Sequence, residues 1–489
     1  MAAAADRPAL TVFTPLPPAR NGIADYAALL LGALHGTHHE CAAACEAWDS
    51  TPPPVPGIPV LDAALAHRHV ARSGGRVLHQ LGNNSQHGFV LRALRHTPGV
   101  VTLHDPGLLH LHEVAAEPAS AILAGMAAAP APLGPLLARQ LRDHGISTRA
   151  NHALCDLTGE VLARSRAVVV HSRFAAARLR ALHGAARTAH VSVVPHPLRP
   201  RPMPSREAAR AALGIAPDAF LVVTAGFATR AKRFDWIVAA LAAVLAGGTD
   251  LAWIHAGAER REELDLAGLI AGAAPALRAR SRIAGWLDDA ALDRHIAAAD
   301  VLVNLRFPSL GESSGALARA FAGGTAAIVT DTAAYAELPR AAVLHIPPIG
   351  AARALAAALV ALARAPDLAR AIGAAGRRFA EATMALPAIA AAHAAIIEAS
   401  RDLPVAAAPA AAGEPPLLIA APDAAAVHRA LAGVTGRCRL FLGAPGADPG
   451  PAPVAALLPP EAALRGLRVL LPPAMPGLLL DIDLPGWRA

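Results

Sequence analysis

VVTAGFATRAKRFDWIVAAL, residues 222–241, runs from β-branched apolar residues through a glycine loop into a helical segment, and that order decides the fold. Val222, Val223 and Thr224 suit a buried strand, Gly226 frees the chain to turn, and a helix is expected over 232–246. A strand that passes through a glycine into a helix leaves free backbone N–H groups, and the positive end of the helix, beside the strand's carboxyl end. An anion is favoured there. The stretch also holds Lys232, the one lysine among 44 Lys and Arg. A guanidinium is a planar fork suited to bidentate contact, whereas an ammonium is a compact point charge that fits a small phosphate pocket. The plainer alternative is a solvated basic first turn, with Arg230 and Arg233 flanking Lys232.

The same alternation extends in both directions. Strands are expected at 9–14, 76–81, 100–104, 167–172 and 189–195, and again at 220–226, 251–257, 281–286, 300–305, 325–331 and 342–348, with helical segments between them. HPLRPRPMPS (196–205) has four prolines in ten residues, continues neither helix nor central strand, and reads as a connector. The fold class is therefore α/β, with two Rossmann-like domains in series, 1–197 and 206–385, and a ligand cleft beyond the carboxyl ends of their strands. Residues 386–402 read as a terminal helix packing back on the first domain. PVAAAPAAAGEPP marks a linker over 403–416, and 417–489 is a small Pro/Ala-rich extension with strand-like runs at 417–421, 438–443 and 467–473. GAPGADPG (443–450) lacks the spacing of a dinucleotide fingerprint.

Composition narrows the partners. Net charge +7 favours an anionic ligand or a membrane surface, while 3% aromatic residues leave few stacking platforms for nucleic acid. Cys41, Cys45, Cys155 and Cys438 are scattered, a poor disulfide framework that fits a reducing cytoplasm. Neither a signal region nor an apolar run of about 18 residues is expected to direct the chain into a membrane. HGTHHECAAAC clusters His38, His39, Cys41 and Cys45, but no second cluster completes a tetrahedral site, so no metal is expected.

Three more stretches carry candidate chemistry. LRFPSLGESSGALARAFAGG (305–324) follows a strand and opens a helix, with Glu312 placed either to accept from sugar hydroxyls or to cap; the N–H groups of Ser313, Ser314 and Gly315 face an anion. In TPLPPARNGIADYAALLLGAL (14–34), Gly22 permits close backbone approach, and Asp25 is a ligand carboxylate or a first-turn acid. HQLGNNSQHGF (79–89) offers Asn83, Asn84 and Ser85 to hydroxyls or to turns, and VVTLHDPGLLH (100–110) ends a strand in His104 and Asp105. In VVVHSRFAAARL (168–179), Ser172 is a natural N-cap and Arg173 a weaker site candidate.

In order and spacing, these segments resemble retaining glycosyltransferases of the GT-B fold, family 4, over about residues 9–400. The resemblance implies a metal-independent, cofactor-free transfer of sugar from a nucleotide-diphosphate-sugar to a glycan, glycolipid or other hydroxyl acceptor, with retention. A role in polysaccharide or glycolipid synthesis follows, and the basic charge is compatible with peripheral membrane association. Lys232 falls at the family's diphosphate-binding lysine, whereas Phe227 stands where the family often has Arg, which leaves Arg230 or a neighbour to supply a second cation. Glu312 matches the first Glu of the Glu-x7-Glu signature; the second is missing, with Arg319 and Ala320 at its candidate positions. His104, Glu312 and Lys232 are then the catalytic group. Gly22, Gly226, Arg230, Ser313, Ser314, Gly315 and Glu337 bind donor, and Asn21, Asp25, Asn83, Asn84 and Asp105 bind acceptor. A catalytically inactive nucleotide-sugar-binding protein of the same fold is the competing expectation.

Overall fold

In the computed structural model, the strand Leu221–Ala225 is buried at every position, as a parallel strand must be when helices cover both faces of its sheet. The structure describes residues 7–19, 21–46, 55–115, 117, 119–127, 133–199 and 202–405, together with 417–419, 427, 436–443, 463–470 and 477–484. These form two units, residues 1–111 with 165–404 and residues 112–164 with 405–489.

The first unit holds two parallel sheets. One comprises β1 (Ala9–Phe13), β2 (Glu40–Cys45), β3 (Val60–Asp62), β4 (Arg76–Leu81), β5 (Val100–Leu103), β6 (Ala167–Val170) and β7 (Val191–Val193), in the order β3-β2-β1-β4-β5-β6-β7. The other comprises β8 (Leu221–Ala225), β9 (Ala252–Ala256), β10 (Ser281–Ile283), β11 (Val301–Asn304), β12 (Ala326–Thr330) and β13 (Leu344–Ile346), in the order β10-β9-β8-β11-β12-β13. The expected pair of Rossmann-like domains is present. Each sheet winds outward on one side, then returns beside its first strand, giving a switch point between β1 and β4 and another between β8 and β11. Ligands bind at such points, where adjacent loops part.

Two strands of this unit escaped the sequence reading. The six residues ECAAAC of β2 have no β-branched member, yet its last five residues are buried beside β1. The short β3 follows it. The final helix, Leu386–Ala399, packs on the first sheet's helix Gly22–Leu34, with Ile389, Ala390, Ala394 and Ile397 joining the core of Leu30, Leu31 and Leu34. Its Glu398 takes a two-point bond from Arg76 (2.6 and 2.7 Å) and one with His39 (2.9 Å). Cys41 and Cys45 are buried free thiols on β2, and burial pushes the Cys41 thiol up to about 12.

One helix start also differs from expectation. Arg230–Lys232 is a 3-10 turn, and Arg233 then adopts a left-handed φ of 55°, so the α-helix begins only at Phe234. Lys232 thus stands on the loop and not on the helix. The helix after β11 begins at Gly315, capped by Ser314, whose Oγ accepts from Leu317 N–H at 3.3 Å.

The second unit contains the helices Ala119–Ala127, Leu133–His144, Arg149–Leu154 and Gly159–Arg164. Its sheet comprises β14 (Leu417–Ile419), β15 (Gly436–Gly443), β16 (Ala463–Leu470) and β17 (Gly477–Leu484) in the order β14-β15-β17-β16, antiparallel except for β14 with β15. The linker from residue 406 onward, and the glycine stretch after Gly443, lie outside the described residues.

Candidate active site

Because β8 and β11 are neighbours, the loops that follow them, 226–233 and 305–314, rise side by side. Phe307 N–H donates to Ala231 O (2.7 Å), and the Phe307 ring stacks on Trp236 at 5.7 Å, joining the two loops directly. Above them is a cavity of about 650 Å³, walled on one side by the first sheet's Asn21, Gly22 and Asp25 and on the other by Gly226, Lys232 and Ser313–Gly315.

The Lys232 ammonium donates to Ala225 O at 2.7 Å, at the carboxyl end of β8. Burial, and then repulsion from Arg306 and Arg260, lowers its pKa to about 7, against a smaller opposing pull from Glu263. Gly226 has φ 77°, and a Cβ there would lie 2.9 Å from Lys232 Nζ, so glycine is required both by the turn and by the approach of the ammonium. The first N–H groups of the helix starting at Gly315 have no intrahelical acceptor and open on the same cavity.

Arg306, which sequence reasoning passed over, also lines the cavity. Burial alone would lower its pKa, but the Tyr335 phenol and the carboxylates of Glu312 and Asp105 outweigh burial and hold the guanidinium charged. The other expected cations turn elsewhere. Arg230 is exposed and donates from Nε to Glu263 O, while Arg233 lies over Trp236 (3.7 Å) and pairs with Asp235. The Phe227 ring lines the cavity with the Arg260 guanidinium 4.3 Å from its centre.

Glu312 is not a cavity-lining residue. It accepts from Ser309 Oγ (2.7 Å) and Leu310 N–H (3.1 Å), and lies 4.0 Å from Arg306 Nη1. Facing it from the first sheet is Asp105, whose pKa is raised to about 6 by burial and by the Glu312 charge. Asp105 accepts from Asn83 N–H (2.9 Å), and Asn83 Oδ1 accepts from Leu111 N–H (2.7 Å), so Asn83 ties its own loop together. Asn84 caps the turn Ser85–His87, its Oδ1 accepting from Gln86 N–H at 3.0 Å. Asn21 caps the helix Gly22–Leu34 through Ile23 N–H (2.9 Å) and donates to His87 Nε2 (3.1 Å). Asp25 keeps its place in the wall, its pKa raised by burial and by Asp289.

His104 lies behind the cavity wall, edge-on to Tyr26 at 4.6 Å. Its Nε2 is 2.7 Å from the Gln80 carboxamide and its Nδ1 is 3.0 Å from His171 Nε2; His171 Nδ1 lies 2.9 Å from Val194 O. Val194 O can only accept, so His171 carries its proton on Nδ1, and His104 must donate from Nδ1. His104 Nε2 is then an acceptor, which requires Gln80 to offer its amide nitrogen. Both rings are neutral in this arrangement. That agrees with burial, reinforced by neighbouring histidines, which lowers His104 well below its usual range and His171 to about 3.

Glu337 also leaves the cavity. It reaches the first sheet's helix Arg173–His183 and accepts from the N–H groups of Arg173 (3.1 Å) and Phe174 at that helix's amino terminus. Glu337→Gln removes the charge facing the helix dipole and is expected to lower stability by about 1 kcal/mol in chemical denaturation, leaving diphosphate affinity unchanged. Arg319, where the resemblance places a missing Glu, lines the cavity but is locked to Asp289 and Asp293; Asp289 is also paired with Arg199 of the connector.

Residues 219–365, which contain both cavity loops, match the family model described as Glycosyl transferases group 1. This segment is a group 1 glycosyltransferase domain. No curated protein sequence matches the chain. Among solved structures, the chain resembles sucrose-phosphate synthase from Thermosynechococcus elongatus at TM-score 0.56 and 18% identity, over 80% of this chain and 99% of that one. It resembles Anabaena HepE in complex with UDP-glucose at 0.59 and 12%, over 80% and 100%. It also resembles the catalytic domain of starch synthase IV from Arabidopsis thaliana bound to ADP and acarbose, at 0.56 and 13%, over 81% and 100%. At these identities the likeness establishes the two-domain GT-B fold. Lys232, Arg306, Glu312 and the helix start at Gly315 all belong to the group 1 domain, whereas Asn21, Asp25, His104 and Asp105 lie outside its matched segment.

Proposed function

We propose that the chain transfers a sugar from a nucleotide-diphosphate-sugar to an acceptor hydroxyl, with retention at the anomeric carbon, in the assembly of a polysaccharide or glycolipid. The observation that carries this reading is Lys232. Its ammonium sits in a cavity between the two sheets, at a switch point of the group 1 domain, crowded by other cations and facing unused helix N–H groups. Such a place is completed by a diphosphate. In the transfer, the bond from the anomeric carbon to the diphosphate oxygen breaks, its electron pair passes to the diphosphate, and the acceptor oxygen forms the new bond as its proton leaves to the departing phosphate. Lys232 and the helix start at Gly315 stabilise the charge gathering on the leaving group. Glu312 and Asp105 act from outside the cavity lining through the charge they place on Arg306, and His104 holds the wall through Tyr26.

Thermal-shift screening against UDP-glucose, ADP-glucose and other nucleotide sugars tests the donor, followed by hydrolysis and transfer assays. Stabilisation without turnover across a panel of acceptors would replace this reading with a nucleotide-sugar-binding protein, and no stabilisation by any nucleotide sugar would sink both.

Donor affinity is expected to depend on pH. The free site's ammonium, set between Arg306, Arg260, Glu263 and the neutral His255, has its pKa lowered from 10.5 to about 7. A bound diphosphate favours the protonated form, so binding above pH 7 takes up a proton. Affinity for the group that binds should therefore be full below pH 7 and fall by up to about tenfold per unit above it. Calorimetry from pH 6 to pH 9 checks this with whichever nucleotide sugar binds, and Lys232→Met should flatten the profile.

A further inference from the structure

Arg306, whose side chain is 22% exposed, differs from the buried Arg210. Arg210, 2% exposed, donates to four backbone carbonyls, those of Ala216, Pro217, Ala219 and Ala298, and to Asp300; its fork belongs to the fold. The Arg306 guanidinium meets the Tyr335 hydroxyl, but its buried Nε has no hydrogen-bond partner, and Glu312 stays 4.0 Å from its Nη1, too far for a hydrogen bond. Its backbone is fixed on both sides, since its own N–H donates to Thr330 Oγ1 (3.1 Å) and the next residue's N–H donates to Ala231 O (2.7 Å). That second bond joins the chain neighbour of Arg306 to the chain neighbour of Lys232. The two loops are stitched together where their cations emerge, and both cations line one cavity.

Two like charges on stitched loops that line one cavity, one of them with an unused Nε–H, favour an anion between them. Phe227, on the same wall, contributes only a ring covered by Arg260. We propose that Arg306 is the second cation of the donor site, binding phosphate oxygens of the diphosphate alongside Lys232 from the loop after β11. This rests on the transferase reading. Lys232 neutralises as a point charge, and Arg306 supplies the bidentate fork that fixes the diphosphate's orientation.

The test is calorimetric titration of the full chain with inorganic pyrophosphate at pH 6.5, with melting curves on the same samples. The parent, Lys232→Met, Arg306→Gln and Arg306→Met are compared. Each Arg306 variant is expected to weaken pyrophosphate binding by roughly 10- to 100-fold, the loss of charge-assisted hydrogen bonds, and to melt within a few degrees of the parent. Parent-like binding by both Arg306 variants, with Lys232→Met impaired, overturns the role of Arg306 and leaves the transferase reading standing. Unfolding of both Arg306 variants also overturns it, because the guanidinium would then serve the fold. A parent that binds neither pyrophosphate nor any nucleotide sugar removes the transferase reading itself.

Discussion

Lys232→Met is expected to lower the kcat of sugar transfer by about 10²- to 10³-fold, the scale seen when one preorganised charge donor is removed from a developing anion. The same substitution should leave the melting temperature of the ligand-free protein at or above that of the parent. Folding lowers the pKa of this ammonium from 10.5 to about 7. A lysine whose folded pKa is depressed destabilises the fold most at and below the folded value, and ceases to do so only above the unfolded one. Near pH 7 that penalty is on the order of a few kcal/mol. Methionine keeps the alkyl stem, loses the bond to Ala225 O, and removes the penalty. Turnover and melting temperature measured on one preparation separate this outcome from a structural role, in which both would fall together.

Gly257→Ala should have a large effect on stability. An added Cβ would lie 2.1 Å from Gly226 O and 2.6 Å from its carbonyl carbon, and these are backbone atoms that cannot swing aside. The loops after β8 and β9 would have to separate, at a cost of about 3 kcal/mol or more. Ala225, which holds the Lys232 ammonium, adjoins the displaced residue, so donor binding should disappear as well. Gly226→Ala offers the contrast. Its Cβ would meet the flexible end of Lys232 at 2.9 Å, and its φ of 77° adds strain of about 1 kcal/mol. Thermal melts with and without UDP-glucose distinguish the two: Gly257→Ala should lose fold and binding together, Gly226→Ala mainly binding. Equal melting of Gly257→Ala and the parent would contradict the packing described for these loops.

Much of this was legible in the chain. The apolar runs FLVVTAG and DVLVNL mark β8 and β11, because a strand buried on both faces must be apolar throughout, and the glycine and serine loops after them mark the carboxyl ends where ligands gather. By contrast ECAAAC gave no strand signal, because alanine and cysteine carry little β preference and only neighbouring strands and helices make β2 a core element. Glu337 and His104 carried plausible local patterns. Glu337 instead caps a helix of the other domain, and His104 sits behind Tyr26 in a relay of neutral rings.

By itself, the sequence determined that two doubly wound sheets form, that a glycine turn at Gly226 follows a switch-point strand, and that a lone ammonium comes a few residues beyond it. Those are local properties, written in periodicity and residue type. Which of 43 arginines joins Lys232 is not local: Arg306 lies 74 residues further along the chain and carries no mark among so many guanidinium groups. Only the return of β11 to the side of β8, and the bond from Phe307 to Ala231, bring it there, since strand order and not sequence distance sets which loops share a cavity.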